Sequence, residues 1–271
     1  MFEFSPNIID HILVLIIGVI LPIRSVKAQS LLKKVSFTPK MKTRLYIGNS
    51  ISLWFMALLL GLVNWLMGRS PVDFGLHWPP DTMNDYAWWA LAGFILLYGA
   101  DLTYETAFPT SRENTIKEWQ ENIPFLPASF PEFIRFIPLA ITAGICEEFI
   151  FRGYFITYFY NLLGSDNAYW AIFIPTLIFA IVHQYQGRKA VIKIFFMAIF
   201  FGLIYYYTGS LWQVMLIHFI VDLIGGFAAW RMLKDIPPRI PPVDPEIRLE
   251  EGEVLSSEAM DPPNEELPDP E

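Results

Sequence analysis

The sequence predicts an all-α fold, a polytopic transmembrane helical bundle of about seven spans followed by a disordered acidic C-terminal tail. Of the 271 residues, 54% are hydrophobic and 17% are charged, whereas about 25% of an average soluble domain is charged. The mean hydropathy is +0.39, because apolar stretches long enough to cross a bilayer recur along the chain. The net charge of -8 excludes a basic nucleic-acid-binding protein, and the single cysteine excludes an internal disulfide.

The candidate spans follow one another from the N-terminus to residue 233. They are residues 7–23, 45–67, 86–104, 133–163, 168–185, 190–207 and 211–233. The first is short, but it lacks the basic flank and the cleavage site of a signal peptide, so we expect an uncleaved span. The fourth is long and carries charges at its centre, and an eighth span results if it breaks.

Basic residues orient these spans. Every charged residue between the first two spans is basic, and such loops stay on the cytoplasmic side. Seven alternating spans then place the N-terminus outside and the C-terminus in the cytoplasm. Aromatic residues at the outer ends of the spans agree with this orientation. The charge asymmetry and the lack of a targeting sequence favour a bacterial plasma (inner) membrane.

Polar segments divide the chain into three parts. Residues 1–131 hold the first three spans and most of a cytoplasmic connection at 105–132, where a solvated loop is favoured over an amphipathic surface helix at 112–122. Residues 132–234 form a helical core that carries the candidate site. Residues 235–271 are acidic and rich in proline, so they cannot bury a core. This tail is either a solvated extension or a site for a basic cytoplasmic partner.

Charged residues interrupt the fourth span, where they are costly and need partners or a purpose. Glu148 and Arg152 are four residues apart, so a helix places them on one face as an ion pair. Glu147 lies about 100° round the helix and has no such partner. A carboxylate desolvated without a cation is a stronger base, which suits a general base. The alternative is a buried Glu–Arg bridge that merely locks helices together.

Two histidines occupy later spans. His183 lies near the cytoplasmic end of the fifth span, where a lone histidine is more often an interfacial residue. His218 and Asp222 share one face of the seventh span, so Asp222 can fix the tautomer of His218 or stabilise its charged form. The alternative for this pair is a hydrogen bond that serves packing. Asp101, in the third span, is left out of the site because such a residue more often reaches water.

These polar residues need a shared cavity that contains water, and this favours hydrolysis. Glu147 can take a proton from water that His183 positions, while His218 and Asp222 face the developing oxyanion. This version needs no cofactor. In a second version, a divalent metal such as zinc binds His183, His218 and either Glu147 or Glu148; the spacing lacks a short zinc motif. Cys146 is read as a small buried thiol.

At these positions the chain resembles the CPBP intramembrane proteases, the family of CAAX prenyl endopeptidases and of bacteriocin-processing and Abi-type immunity proteins. The resemblance covers residues 133–233 and rests on three ordered motifs: Glu147-Glu148-Phe-Ile-Phe-Arg152, Phe179-x-x-x-His183 and His218-x-x-x-Asp222. It implies an all-helical membrane core with a cavity open toward the cytoplasm. It also implies that Glu147 is the general base with His183, that His218 and Asp222 lie near the oxyanion, and that Glu148 and Arg152 support them.

The last motif position is Asn or Asp across this family. An ionised aspartate cannot donate a hydrogen bond to an oxyanion. Asp222 is therefore protonated, acts through His218 or binds a cationic group.

The predicted function is that of an intramembrane endopeptidase acting at the cytoplasmic side of the membrane. Its expected partners are membrane lipids and a substrate that is a membrane protein, a lipidated (CAAX-like) protein or an apolar peptide. One alternative is a non-catalytic membrane immunity or peptide-binding protein. A transporter is a further alternative, although no repeat or pair of broken helices supports it.

Overall fold

The computed structural model describes residues 4–24, 35–78 and 83–238, and all regular secondary structure in these ranges is helical. The predicted tail beyond residue 238 and part of the basic loop, at 25–34, lie outside the described residues. The α-helices are α1 (Ile8–Leu15), α2 (Pro39–Leu66), α3 (Asp85–Ala107), α4 (Pro109–Asn122), α5 (Phe130–Glu148), α6 (Thr157–Leu163), α7 (Ala168–Val182), α8 (Arg188–Thr208) and α9 (Leu211–Leu233).

Two π-helical segments and three short 3₁₀ turns complete the described elements. The π segments are Ile16–Ile20, which extends α1, and Phe149–Ile156, which joins α5 to α6. The fourth predicted span is therefore one unbroken helix from residue 130 to residue 163. The 3₁₀ turns are Pro71–Phe74, Ser165–Asn167 and Gln184–Gln186.

Side-chain caps set where the long helices begin. Thr38, Asn84, Ser129 and Ser210 each accept a hydrogen bond from a backbone N–H in the first turn of α2, α3, α5 and α9. Proline begins α2 and α4, where its missing N–H leaves no hydrogen bond unmade. Sequence-local signals thus fix these helix starts.

Among the described residues, four helical segments are long and apolar enough to cross a membrane: Pro39–Leu66, Ser165–Val182, Arg188–Thr208 and Leu211–Leu233. The other three predicted spans are helical as well, in α1, α3 and the α5–α6 helix. Large apolar side chains such as Leu58 and Leu96 point away from the protein and are 64% and 75% exposed. A surface of this kind suits contact with lipid.

The polar connection before α5 differs from the expected solvated loop. Residues Pro109–Asn122 form α4, so the favoured solvated loop was wrong and the alternative of a helix was right. That this helix lies on the membrane surface stays a prediction. Ser111 and Thr115 are buried on one side of α4, and Glu118 forms an ion pair with Lys189 at the start of α8. These tertiary contacts hold α4 against the bundle, which polarity alone did not reveal.

Contacts at the two ends of the bundle show that consecutive long helices run in opposite directions. At one end Arg69, after α2, pairs with Asp10 of α1, and the Asn84 amide before α3 donates to the Tyr207 carbonyl of α8 at 3.0 Å. At the other end Lys42 of α2 pairs with Glu132 of α5 at 2.9 Å. Polar contacts thus tie the helices and their connections together at both ends.

Asp10 is a buried charge that sequence reasoning overlooked. It is fully buried, and its two carboxylate oxygens accept hydrogen bonds from Arg69 at 2.6 and 2.7 Å. The Tyr154 hydroxyl of the π segment donates to Asp10 Oδ1 at 2.8 Å. This network fastens the first helix to the helix that carries Glu147 and Glu148.

Candidate active site

The three motifs meet where α5, α7 and α9 pack together. Glu147 and Glu148 end α5, and Arg152 follows in the π segment. His183 lies at the C-terminal cap of α7, and His218 and Asp222 lie within α9. π-Helical turns are frequent at functional sites, and this one begins directly after the two glutamates.

Glu148 is the hub of the site. Its Oε1 atom accepts hydrogen bonds from Arg152 Nη1 at 2.8 Å and from His218 Nδ1 at 2.6 Å. Its side chain is 0% exposed. Within the described ranges its other oxygen, Oε2, has no hydrogen-bond partner. Glu148 thus binds the Arg152 guanidinium and the His218 ring and does not face an open space.

Arg152 is held from several sides. Its Nη2 atom donates to the Ala198 carbonyl of α8 at 3.4 Å. Its guanidinium lies over the Phe179 and Phe201 rings, 4.6 and 5.4 Å from their centroids. Aromatic faces stabilise a desolvated guanidinium. The ion pair with Glu148 is therefore embedded in the core between α5, α7 and α8.

Glu147 faces both histidines without touching either. Its Oε2 atom is 4.0 Å from His183 Nε2 and 4.0 Å from His218 Nε2. The side chain is 16% exposed, so this carboxylate is more open than that of Glu148. A spacing of this size exceeds a hydrogen bond and leaves the carboxylate able to accept one from a small donor such as water.

The tautomer of His183 follows from its backbone contact. His183 Nδ1 lies 2.7 Å from the Phe179 carbonyl oxygen. A carbonyl only accepts, so Nδ1–H is the donor, and in the neutral ring Nε2 carries a lone pair. That lone pair and the Glu147 carboxylate are two acceptors that face the same space. A water molecule in this space can donate one hydrogen bond to each of them.

His218 is fixed by a different carboxylate from the one expected. Its Nδ1–H donates to Glu148, whereas the nearest Asp222 oxygen is 3.8 Å from its Nε2 atom. Glu148 therefore sets the tautomer of His218, and the i, i+4 neighbour Asp222 does not. Asp222 remains 30% exposed and contributes its charge to the Nε2 side of the ring.

A glycine lets α9 come close enough for this contact. A Cβ atom on Gly144 would lie 3.0 Å from the Met215 carbonyl oxygen and 3.0 Å from the Phe219 nitrogen. Both atoms belong to the backbone of α9, one turn before and directly after His218. The close approach of α5 and α9 at Gly144 thus brings His218 within hydrogen-bond distance of Glu148.

The metal version of the mechanism stays a prediction. In the part of the chain that the structure describes, no three His, Cys, Asp or Glu side chains are grouped so that they could hold a metal ion. His183 Nδ1 and His218 Nδ1 are both committed to protein acceptors, which leaves their Nε2 atoms facing Glu147, and Cys146 is fully buried. We therefore derive no step through a metal.

Two aromatic residues at the site were not singled out from the sequence. Tyr185 stacks on His183 with ring centroids 6.1 Å apart, and Phe125 lies 6.0 Å from Tyr185. The short distance along the chain between His183 and Tyr185 was the available signal. Asp101, which was left out of the site, pairs with Lys193 at 2.9 Å and takes no part in it.

Comparison with protein families gives one match to this region. Residues 129–224 match the model of the Rce1-like family, described as type II CAAX prenyl endopeptidase Rce1-like. All six predicted site residues lie within the matched segment. The match confirms the resemblance of the three motifs to the CPBP and CAAX proteases. Comparisons with curated proteins and with solved structures found no match.

Proposed function

We propose that the protein is an intramembrane endopeptidase that hydrolyses peptide bonds of membrane-associated or lipidated, CAAX-like substrates. The observation that carries this proposal is the pair of acceptors formed by Glu147 and His183 Nε2, 4.0 Å apart. The Rce1-like match supports the same activity at the level of the family. Glu147 and His183 are the residues to which we assign the activation of water.

The proposed reaction uses Glu147 as general base and then as general acid. A water donating to Glu147 and His183 loses a proton to Glu147 while its oxygen attacks the carbonyl carbon. The negative charge that develops on the carbonyl oxygen faces the Nε2 side of His218, whose positive form Glu148 and Asp222 stabilise. The C–N bond then breaks, and Glu147 returns its proton to the leaving nitrogen.

The proposed topology has seven spans, with the N-terminus outside and the C-terminus in the cytoplasm of a bacterium. The basic loop between the first two spans supports this orientation. The alternating directions of the described helices support the span count. The candidate site would then open toward the cytoplasm, at the end of the bundle where Tyr185 and Phe125 lie, and the acidic tail would be cytoplasmic.

The test compares new protein termini in membranes of cells that express the wild type or Glu147→Gln at matched levels. Glutamine keeps the size of the side chain and removes the base. Glu118→Gln, at an exposed ion pair with Lys189, is the matched control. We expect termini that appear with the wild type and the control but are absent with Glu147→Gln. Termini that persist in Glu147→Gln would contradict the proposal.

A further inference from the structure

The proposed hydrolysis needs hydrogen-bond donors that face the oxyanion, and most donors at the site are already committed. Arg152 donates to Glu148 and to the Ala198 carbonyl. His183 Nδ1–H donates to the Phe179 carbonyl, and His218 Nδ1–H to Glu148. An ionised Asp222 only accepts. The Nε2–H of a protonated His218 is therefore left to act with a second donor still to be identified.

Tyr185 has the chemistry of that second donor. It lies in the 3₁₀ turn Gln184–Gln186, and its hydroxyl oxygen accepts a hydrogen bond from Gln186 Nε2 at 3.1 Å. An amide nitrogen can only donate, so the hydroxyl proton of Tyr185 is not used in this bond. The neighbouring His183 carries the Nε2 atom that lies 4.0 Å from Glu147. The Tyr185 ring stacks on His183 with an interplanar angle of 27°.

The surroundings hold the Tyr185 ring in place. Phe125 is a second aromatic neighbour of this ring, with the two centroids 6.0 Å apart. The Phe125 carbonyl accepts a hydrogen bond from the Tyr46 hydroxyl at 2.5 Å. Lys42 Nζ donates to the next carbonyl, that of Leu126, at 2.8 Å. The turn itself ends at Gly187, whose φ of 96° favours glycine. Donors of an oxyanion are effective when they are fixed in advance in this way.

We propose that the Tyr185 hydroxyl donates a hydrogen bond to the oxyanion formed during peptide hydrolysis and is a catalytic residue of this protein. The inference rests on the proposed function and deepens it. A role in packing alone would need only the ring. The hydroxyl and the ring therefore make separable contributions, and Tyr185→Phe removes the first while keeping the second.

The experiment measures turnover by the purified full-length protein in lipid vesicles. The probe is an internally quenched peptide that carries the cleavage site found by the comparison of termini. For Tyr185→Phe we expect kcat to fall about 100-fold, the typical effect of removing one oxyanion donor, with KM within about twofold. Tyr104→Phe makes the same chemical change at a 60% exposed tyrosine and should match the wild type. Thermal unfolding checks that Tyr185→Phe is folded.

Binding of a phosphinate analogue of the same peptide gives a second readout. The analogue places negatively charged oxygens where the oxyanion forms, so Tyr185→Phe should weaken its binding about as much as it lowers kcat/KM. If Tyr185→Phe keeps kcat within twofold of the wild type, the assignment of the hydroxyl is overturned. If Glu147→Gln also keeps its activity, the proposed function itself has failed, so the two failures are distinguishable.

Discussion

In the proposed reaction, Glu148 orders the site and stabilises His218 without contacting the reacting atoms. It accepts hydrogen bonds from Arg152 and from His218 while staying fully buried. It therefore links the π segment to α9, and its buried negative charge is stabilised by both Arg152 and His218. Removing one member of a buried ion pair leaves the other uncompensated, which costs more than removing the whole pair.

Arg152→Met tests this dependence. The substitution keeps an unbranched apolar side chain but leaves Glu148 with only His218, so we expect the free energy of unfolding to fall by about 3–5 kcal/mol. Unfolding titrations of the purified protein in mild detergent measure this loss. The double variant Arg152→Met/Glu148→Gln should recover much of the stability because it also removes the buried charge. A single variant as stable as the wild type would show that the pair contributes little.

The two histidines lead to a prediction about metal removal. The proposed reaction assigns the space between Glu147 and the two Nε2 atoms, each 4.0 Å away, to water and not to a metal ion. We expect cleavage of the quenched peptide to keep its rate after dialysis against a strong chelator. The control is a zinc protease treated in parallel, which must lose its activity. Loss of cleavage here, with recovery on adding Zn²⁺, would establish the metal version.

At the scale of elements, the packing of α9 against α5 sets the geometry of the site. Gly144 leaves no room for a side chain because the backbone of α9 is 3.0 Å from where a Cβ atom would lie. In Gly144→Ala, α9 must shift by a few tenths of an ångström. Displacements of about 1 Å can cost 100-fold in rate, so we expect a loss of roughly 10-fold in kcat.

Gly225 provides the matched control for this variant. It lies on α9, and no atom comes within 4 Å of the position of an added Cβ. Gly225→Ala should therefore keep the activity of the wild type. Equal activities of both variants, measured with the quenched peptide, would show that α9 tolerates the displacement.

The residues of the site could be predicted from the sequence better than the hydrogen bonds between them. Glu147, Arg152 and His218 stand out because ionisable residues are rare in apolar spans. The hydrogen bond between Glu148 and His218 joins residues 70 positions apart, and no local spacing indicates such a contact. Asp222 was the expected partner because it is four residues from His218. Tyr185 did not stand out because aromatic residues are common at the ends of spans.

The helices likewise divide into those that local sequence indicates and those that depend on contacts with the rest of the bundle. Most helices could be predicted from apolar stretches and from local caps such as Thr38 and Ser129. The π segment Phe149–Ile156 could not be predicted in this way. Every one of its residues is buried, so its sequence shows no periodic alternation of apolar and polar positions. Helix α4 was hidden by its polar composition, since contacts with the rest of the bundle hold it in place.

At the scale of the whole molecule, the contacts at the two ends of the bundle imply two sides of a membrane. Asp10 and Arg69 meet at one end, and Lys42 and Glu132 meet at the other. The described helices between them expose apolar side chains outward, as a lipid-facing surface requires. The orientation can be tested with cysteine labelling because the natural Cys146 is fully buried.

Val72→Cys and Glu113→Cys place single accessible thiols at opposite ends of the bundle. Val72 follows α2, and Glu113 lies on α4; both are exposed. In intact cells, a membrane-impermeant maleimide should label Val72→Cys, and it should label Glu113→Cys only after the cells are opened. The wild type should stay unlabelled in both cases because its thiol is inaccessible. Labelling of Glu113→Cys alone in intact cells would reverse the proposed orientation, and labelling of both variants would exclude an odd number of spans between the two positions. Since the candidate site lies toward the end that carries α4, the same result decides from which side a substrate must arrive.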